Sequence, residues 1–235
     1  MNIYADRGNL LVLEHRCLWR GIGFELSSSG LDQPLSPDAH DLYYLGGGQD
    51  RDQRLCAEDL IETKRDSLHA AAARDAVILG VCGGYQLLGH SYTLGEDEIP
   101  GVGLLDVRTV REDGPRLIGN VAIEVSLGES GSTEGGDSIL AGFENHGGRT
   151  HLEPDAHALG RVLEGHGNDG RSGLEGALHR NTIGTYLHGP LLPKNAWFAD
   201  WLIATALHLD PSDLTPLDDT FEDDAHLSAR RAAGV

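Results

Sequence analysis

AVILGVCGGYQLLG, residues 76–89, joins an unbroken apolar run to a helical pattern through a cysteine followed by two glycines. A continuous run such as 76–81 suits a strand buried on both faces. GGYQLLGHSY then resumes helical spacing directly after it. The stretch therefore predicts a strand–turn–helix corner with Cys82 at its apex. A thiol between a buried strand and a helix N-terminus meets backbone N–H groups and the positive end of the helix dipole, and both favour the thiolate. Glycines beside it permit a tight elbow and let a substrate approach the backbone. This is the cysteine form of the nucleophile elbow. The competing reading is a small buried cysteine at a glycine-rich turn.

Outward from this corner the same order repeats. HDLYYLGGGQD (40–50) is a short apolar run ending in three glycines, and residues 51–75 carry helix formers throughout. GNLLVLEHRCLWRG (8–21) has apolar residues at helical spacing and a glycine stop, and IGFEL (22–26) reads as a strand after it. This βα order predicts an α/β fold, a mostly parallel central sheet flanked by helices. The first strand of such a sheet has to come from MNIYA, which is short, so either that strand is short or the start assigned to the chain is late. From residue 101 to 144 the pattern turns β-rich in GLLDVRTV, RLIGNVAIEVSL and ILAGFEN, and the polar stretch 128–136 reads as a mobile loop. GALHRNTIGTYLHGPLL adds two short strands near residues 175 and 185, and NAWFADWLIATALHL (195–209) reads as an amphipathic helix. We place one domain over residues 1–210 and an acidic tail, frayed or ordered by a partner, over 211–235.

Composition narrows the function classes. With 37 acidic against 18 basic side chains the formal charge is −19, the wrong sign for non-specific binding to nucleic acid or anionic membrane. The three cysteines, Cys17, Cys56 and Cys82, are widely spaced and signal neither a disulfide framework nor a zinc site, so no metal is expected and a reducing cytoplasm is implied. No apolar stretch is long enough to span a bilayer and no export signal opens the chain.

A cysteine nucleophile needs a base and an oxyanion hole. GTYLHGP (184–190) supplies His188 at the end of a strand-like segment far down the chain. The Gly46–Gly48 turn exposes amides after a strand, so Gly47 and Gly48, together with Gly83 beside the thiol, are the candidate oxyanion donors. Most of the twelve histidines are expected to face solvent, and a plain flexible turn is the alternative for the glycines.

YLGGGQD, GVCGGYQLLG and GTYLHGP, in that order, resemble the class I, or triad-type, glutamine amidotransferases, and Cys82, His188 and the Gly46–Gly48 turn fall on the family's nucleophile, base and oxyanion positions. Typical members follow the histidine with a glutamate two residues on, where this chain has Pro190. The cobyric-acid-synthase-like branch lacks that glutamate too. Within it, YADRGNLLVLEHRCLWRG, RLIGN and GFENHGGRT resemble the GatD subunits of MurT–GatD lipid II isoglutaminyl synthases over most of residues 2–205.

The resemblance implies a glutaminase that hydrolyses L-glutamine through a Cys–His thioester. The ammonia would pass to a MurT-like, Mur-ligase-family subunit that uses ATP and Mg to amidate the α-carboxyl of D-glutamate in the peptidoglycan stem peptide of lipid II. It implies no cofactor in this chain and a cytoplasmic site of action, at the inner membrane face through lipid II. It places Arg116 at the family's substrate-arginine position, suited to the α-carboxylate of glutamine. Arg149 is the second candidate, or a brace for the 142–150 loop, and Gln86, one helical turn after Cys82, either faces the bound glutamine or sits on a helix surface. Two other functions remain open: a cobyrinate or cobyric acid amidotransferase component, which needs a partner because the chain has no phosphate-binding glycine-lysine motif, and a non-catalytic interaction subunit, against which intact Cys82 and His188 argue.

Overall fold

The computed structural model describes residues 7–48, 50–94, 96–125, 127 and 138–235. MNIYA and the 128–136 stretch lie outside the described residues. Helices are α1 (Arg7–Trp19), α2 (Asp50–Asp59), α3 (Arg65–Ala73), α4 (Gly83–Leu88), α5 (Ala196–Ala206) and α6 (Thr220–Ala233). Strands are β1 (Leu42–Leu45), β2 (Val77–Val81), β3 (Ser91–Leu94), β4 (Asp97–Pro100), β5 (Val107–Arg111), β6 (Leu117–Val125), β7 (Ile139–His146), β8 (Gly148–Leu152), β9 (Gly160–Glu164), β10 (Leu174–Glu175), β11 (Ala177–His179) and β12 (Thr182–Thr185).

The central sheet has the order β1-β2-β12-β11, with β1, β2 and β12 parallel and β11 antiparallel at the edge. The β-rich middle of the chain builds two further sheets, an antiparallel β10-β9-β6-β7 and a mixed β4-β3-β5-β8. Strand β2 is buried at every position, as its unbroken apolar run predicts. Its alternate side chains feed two separate cores. Val77, Leu79 and Val81 pack with Leu13 of α1 and with Phe198 and Leu202 of α5, whereas Ile78 joins Leu68, Ala71, Tyr85 and Leu88 on the other face.

Paired glycines bring α4 onto the sheet. Gly80 of β2 lies opposite Gly184 of β12, and a Cβ on Gly184 would stand 2.0 Å from the Tyr85 ring, one on Gly80 2.6 Å from Leu88 Cδ1. The helix after the elbow can sit this close only because both strands lack a side chain beneath it.

Several expectations are corrected. Residues 22–26 form no strand: α1 ends at Trp19, Gly21 takes φ +70°, and Ile22 and Phe24 pack against the core from an irregular segment. The 51–75 helix is interrupted by a π-helical turn at Leu60–Lys64, and the helix after Cys82 stops at Leu88, where residues 91–94 turn back as β3. Helix α5 is not amphipathic in its burial, since Ala196, Phe198, Ala199, Trp201, Leu202, Ile203 and Ala204 are all buried. Residues 211–235 are not a frayed tail. They contain α6, which packs against β6, β7 and the 3₁₀ turn Leu192–Lys194. Polar bonds dock it: Arg16 of α1, 1% exposed, reaches both Asp200 of α5 at 2.5 Å and Asp219 at 2.7 Å.

Candidate active site

The register of the central sheet assembles the site. Leu45 of β1 and Gly184 of β12 both lie opposite Gly80, and Thr185 lies opposite Val81, so three chain segments leave the sheet at the carboxyl ends of its parallel strands. Those segments carry Gly46–Gly48, Cys82 and His188. The carboxyl edge of a parallel α/β sheet is where such folds place their ligand sites. The Cys82 amide donates to the Thr185 carbonyl at 2.8 Å, which ties the elbow to the strand leading to His188.

Cys82 stands at φ +53°, ψ −108°, partly exposed at the N-terminal cap of α4. A non-glycine residue in that region stores on the order of 1–3 kcal/mol of strain, held here by β2 and α4 on either side. The glycines after it make room for the turn opposite. A Cβ on Gly83 would stand 3.1 Å from the Gly48 amide nitrogen, and one on Gly84 only 2.1 Å from the Leu45 carbonyl oxygen. Gly83 and Gly48 thus face one another across the elbow, and Gly47 lies in the same turn.

His188 is 7% exposed, and its backbone exchanges two hydrogen bonds with Phe143 of β7, at 2.9 and 3.1 Å. Burial holds its pKa at about 4, assisted by the neighbouring His146, Lys194 and Arg116 and opposed by Glu144. The imidazole is therefore neutral at neutral pH. Pro190 packs on α1, where a Cβ on Gly8 would come within 2.8 Å of its ring.

The two candidate arginines differ in kind. Arg116 is exposed, oriented by Asn145 through bonds of 2.7 Å from Nε and from Nη2, and its charge is felt at His188. Arg149 is 6% exposed and donates to the carbonyls of Pro115, Gly147 and Gly148, the bonding pattern of a loop brace. Gln86 is buried, not on an exposed helix surface. Its Oε1 accepts from Gln53 Nε2 at 2.5 Å and its Nε2 donates to the Tyr186 hydroxyl at 3.1 Å.

Sequence reasoning missed the buried polar groups behind the site. Glu144, fully buried, accepts the amides of His166 and Gly167 and lies 3.8 Å from His146, whose ring stacks on Tyr186 at 3.6 Å. Glu175 takes the Tyr186 amide at 2.6 Å, and burial pushes its carboxyl up to about 8 against the pull of its donors. The two-residue alternation in GFENHGGRT is the signal that would have put Glu144 and His146 on one strand face. Among the described residues no group of three or more His, Cys, Asp or Glu side chains is placed to hold a metal ion.

The profile of the CobB/CobQ-like glutamine amidotransferase domain matches residues 1–196. The chain belongs to this glutamine amidotransferase family. Among CobB/CobQ-like relatives, the lipid II isoglutaminyl synthase (glutamine-hydrolyzing) subunit GatD of Streptococcus pneumoniae is 36% identical over 88% of this chain and 76% of its own length. The GatD subunit of Staphylococcus aureus is 38% identical over 88% of this chain and 80% of its own. A cobyric acid synthase of Pelotomaculum thermopropionicum is 37% identical, but over 52% of this chain and 25% of the synthase. Solved structures share the fold: a chain of PurLQS from Thermotoga maritima aligns with TM-score 0.58 at 21% identity, covering 95% of this chain and 92% of that one. The glutaminase domain of Trypanosoma brucei CTPS aligns with TM-score 0.54 at 11% identity, over 89% and 92%. This amidotransferase is therefore an enzyme similar over most of its length to GatD subunits, and among its described residues no helix is long and apolar enough to cross a membrane.

Proposed function

We propose that this chain is the glutaminase subunit of a lipid II isoglutaminyl synthase. The observation that carries the chemistry is the meeting of Cys82, the Gly46–Gly48 turn and the His188 segment at one edge of the parallel sheet. Similarity to GatD subunits over 88% of the chain supports the acceptor. Cys82 Sγ attacks the side-chain carbonyl carbon of L-glutamine as His188 takes the thiol proton. The amides of Gly83, Gly47 and Gly48 stabilise the oxyanion. His188 returns the proton to the leaving ammonia, and the γ-glutamyl thioester is then hydrolysed by water that His188 activates. Arg116, oriented by Asn145, binds the α-carboxylate of glutamine; Gln86 acts through Tyr186 and Gln53, and Arg149 as a brace.

The ammonia goes to a MurT-like Mur-ligase-family subunit that binds ATP and Mg and amidates the D-glutamate α-carboxyl of lipid II, at the cytoplasmic face of the membrane. No cofactor is needed in this chain. With Pro190 where a glutamate orients the base in typical members, docking of the partner either supplies an orienting carboxylate or orders the loop around His188, so the isolated chain is a slow glutaminase and the complex a faster one. The decisive assay supplies lipid II, ATP and amide-labelled glutamine to the chain with and without its partner. Label in the stem-peptide amide only when both are present supports the reading. Transfer without the partner overturns the two-subunit scheme, and failure of the purified pair to label lipid II favours the corrin alternative.

The low pKa of His188 carries a signed prediction. A general base works deprotonated, so for the isolated chain kcat/KM is expected to persist as pH falls through the ordinary histidine range and to be lost near the folded value of about 4. A pH profile of kcat/KM measures it. An acid limb near the unperturbed histidine value of about 6.5 contradicts a buried neutral base. A carboxylate supplied by docking would move the limb upward in the complex, because a negative neighbour favours the imidazolium, whereas ordering of the loop alone would not.

A further inference from the structure

We propose that α6 is a strap that positions the His188 loop, with His226 and Lys194 as its fastening points. The proposal rests on His188 being the base of the glutaminase reading. After β12 the chain carries His188 and Gly189, then turns through Leu192–Lys194 into α5. Lys194 Nζ donates to the Gly189 carbonyl, next to His188, at 2.8 Å. His226 Nδ1 of α6 donates to the Lys194 carbonyl at 2.7 Å. A carbonyl oxygen only accepts, so this bond places the ring proton on Nδ1. From the other side Asn195 accepts the Ala141 amide at 2.9 Å and donates to the Leu191 carbonyl at 2.8 Å.

His226 is the one buried residue of α6 among the described residues. A helix that needed only an anchor would bury an apolar side chain there. A directional bond to Lys194 instead fixes the turn at one height relative to the helix. The strap is itself pinned at both ends, by Arg16 to Asp219 at 2.7 Å and by Asn120 Nδ2 to the Ala232 carbonyl at 2.8 Å. Phe143 holds the backbone of His188 on one side; Lys194 and His226 hold the residues that follow it. Gly189, at φ +83°, adds no side chain to stiffen the loop by itself.

These are positioning residues, so the test must separate kcat from KM. In the full-length chain, or in its complex with the partner, His226→Leu is expected to lower kcat about tenfold with KM within about twofold, since misplacing a base by a fraction of an ångström weakens chemistry more than binding. His226→Asn, whose Nδ2 N–H stands where the ring Nδ1 does, is expected to recover most of the loss. Lys194→Met, which cuts the fastening from the loop side, provides a second variant if His226→Leu fails to fold. Thermal melting establishes that each variant is folded at the assay temperature. A folded His226→Leu or Lys194→Met with wild-type kcat overturns the strap, as does His226→Asn falling as far as His226→Leu. His188→Ala, assayed alongside, distinguishes the two readings: retained hydrolysis there defeats the base assignment itself, whatever the strap variants do.

Discussion

Replacing Cys82 with serine is expected to lower glutamine hydrolysis by more than about 10³-fold while the melting temperature stays close to that of the native chain. The exchange is nearly isosteric, and serine bears the same backbone strain at φ +53°, so the elbow itself is preserved. The nucleophile is what changes. A thiol of ordinary acidity, pKa about 8.5, is within reach of a neighbouring imidazole, whereas an alcohol is far harder to deprotonate. Ammonia release measures the loss, and an electrophilic glutamine analogue followed by intact mass should label the native chain once, at Cys82. Undiminished ammonia release from Cys82→Ser, or labelling at Cys17 or Cys56 instead, defeats the nucleophile assignment.

The second large effect is steric. Gly84→Ala would put a Cβ 2.1 Å from the Leu45 carbonyl oxygen, a main-chain atom in the last position of β1 that cannot rotate away. Ordinary contact needs roughly an ångström more, so α4 and β1 must part by about that distance. The parting acts between Cys82 and the Gly46–Gly48 turn, since Leu45 immediately precedes that turn. A displacement of about 1 Å between reacting groups costs on the order of 10²-fold in rate, and this variant is expected to lose that much kcat as well as melting at a lower temperature. An alanine at Gly119, where no atom lies within 4 Å of an added Cβ, serves as the comparison. If Gly84→Ala hydrolyses glutamine as fast as Gly119→Ala, the elbow and the glycine turn do not act as one unit.

The strand–elbow–helix around Cys82 was readable because its signal is local. A strand buried on both faces must be apolar throughout, and a tight corner must be small, so residues 76–84 carry their environment in their own composition. The glycine turn after β1 was readable for the same reason. Helix α6 was not, because it is not held by an apolar stripe but by Arg16, His226 and Asn120, whose partners lie far away in sequence. Its terminal signals were nonetheless present: Glu222 and Asp223 in the first turn, Arg230 and Arg231 in the last, and Gly234 as a left-handed cap. IGFEL shows the opposite failure, a strand-like composition that pairs with no strand among the described residues. Gln86 and Arg149 were singled out by type and position, yet what each does depends on Tyr186, Gln53 and the carbonyls of the 147–148 turn, which no local pattern reveals.

The clasp that joins α1 to α5 and α6 bears on how the enzyme comes into being. Arg16 binds residues 184 and 203 positions away, so the bonds that dock α1, α5 and α6 close only after residues 200 and 219 have left the ribosome. Contacts of such long range incur loop-closure entropy before they give stability, which makes them late events in folding. The thiol of Cys82 is thus synthesised, and its elbow able to form, well before the histidine loop and its strap exist. On the proposed reading, the growing chain would hold its nucleophile before its base, and the paired site would form only once α5 and α6 have been made.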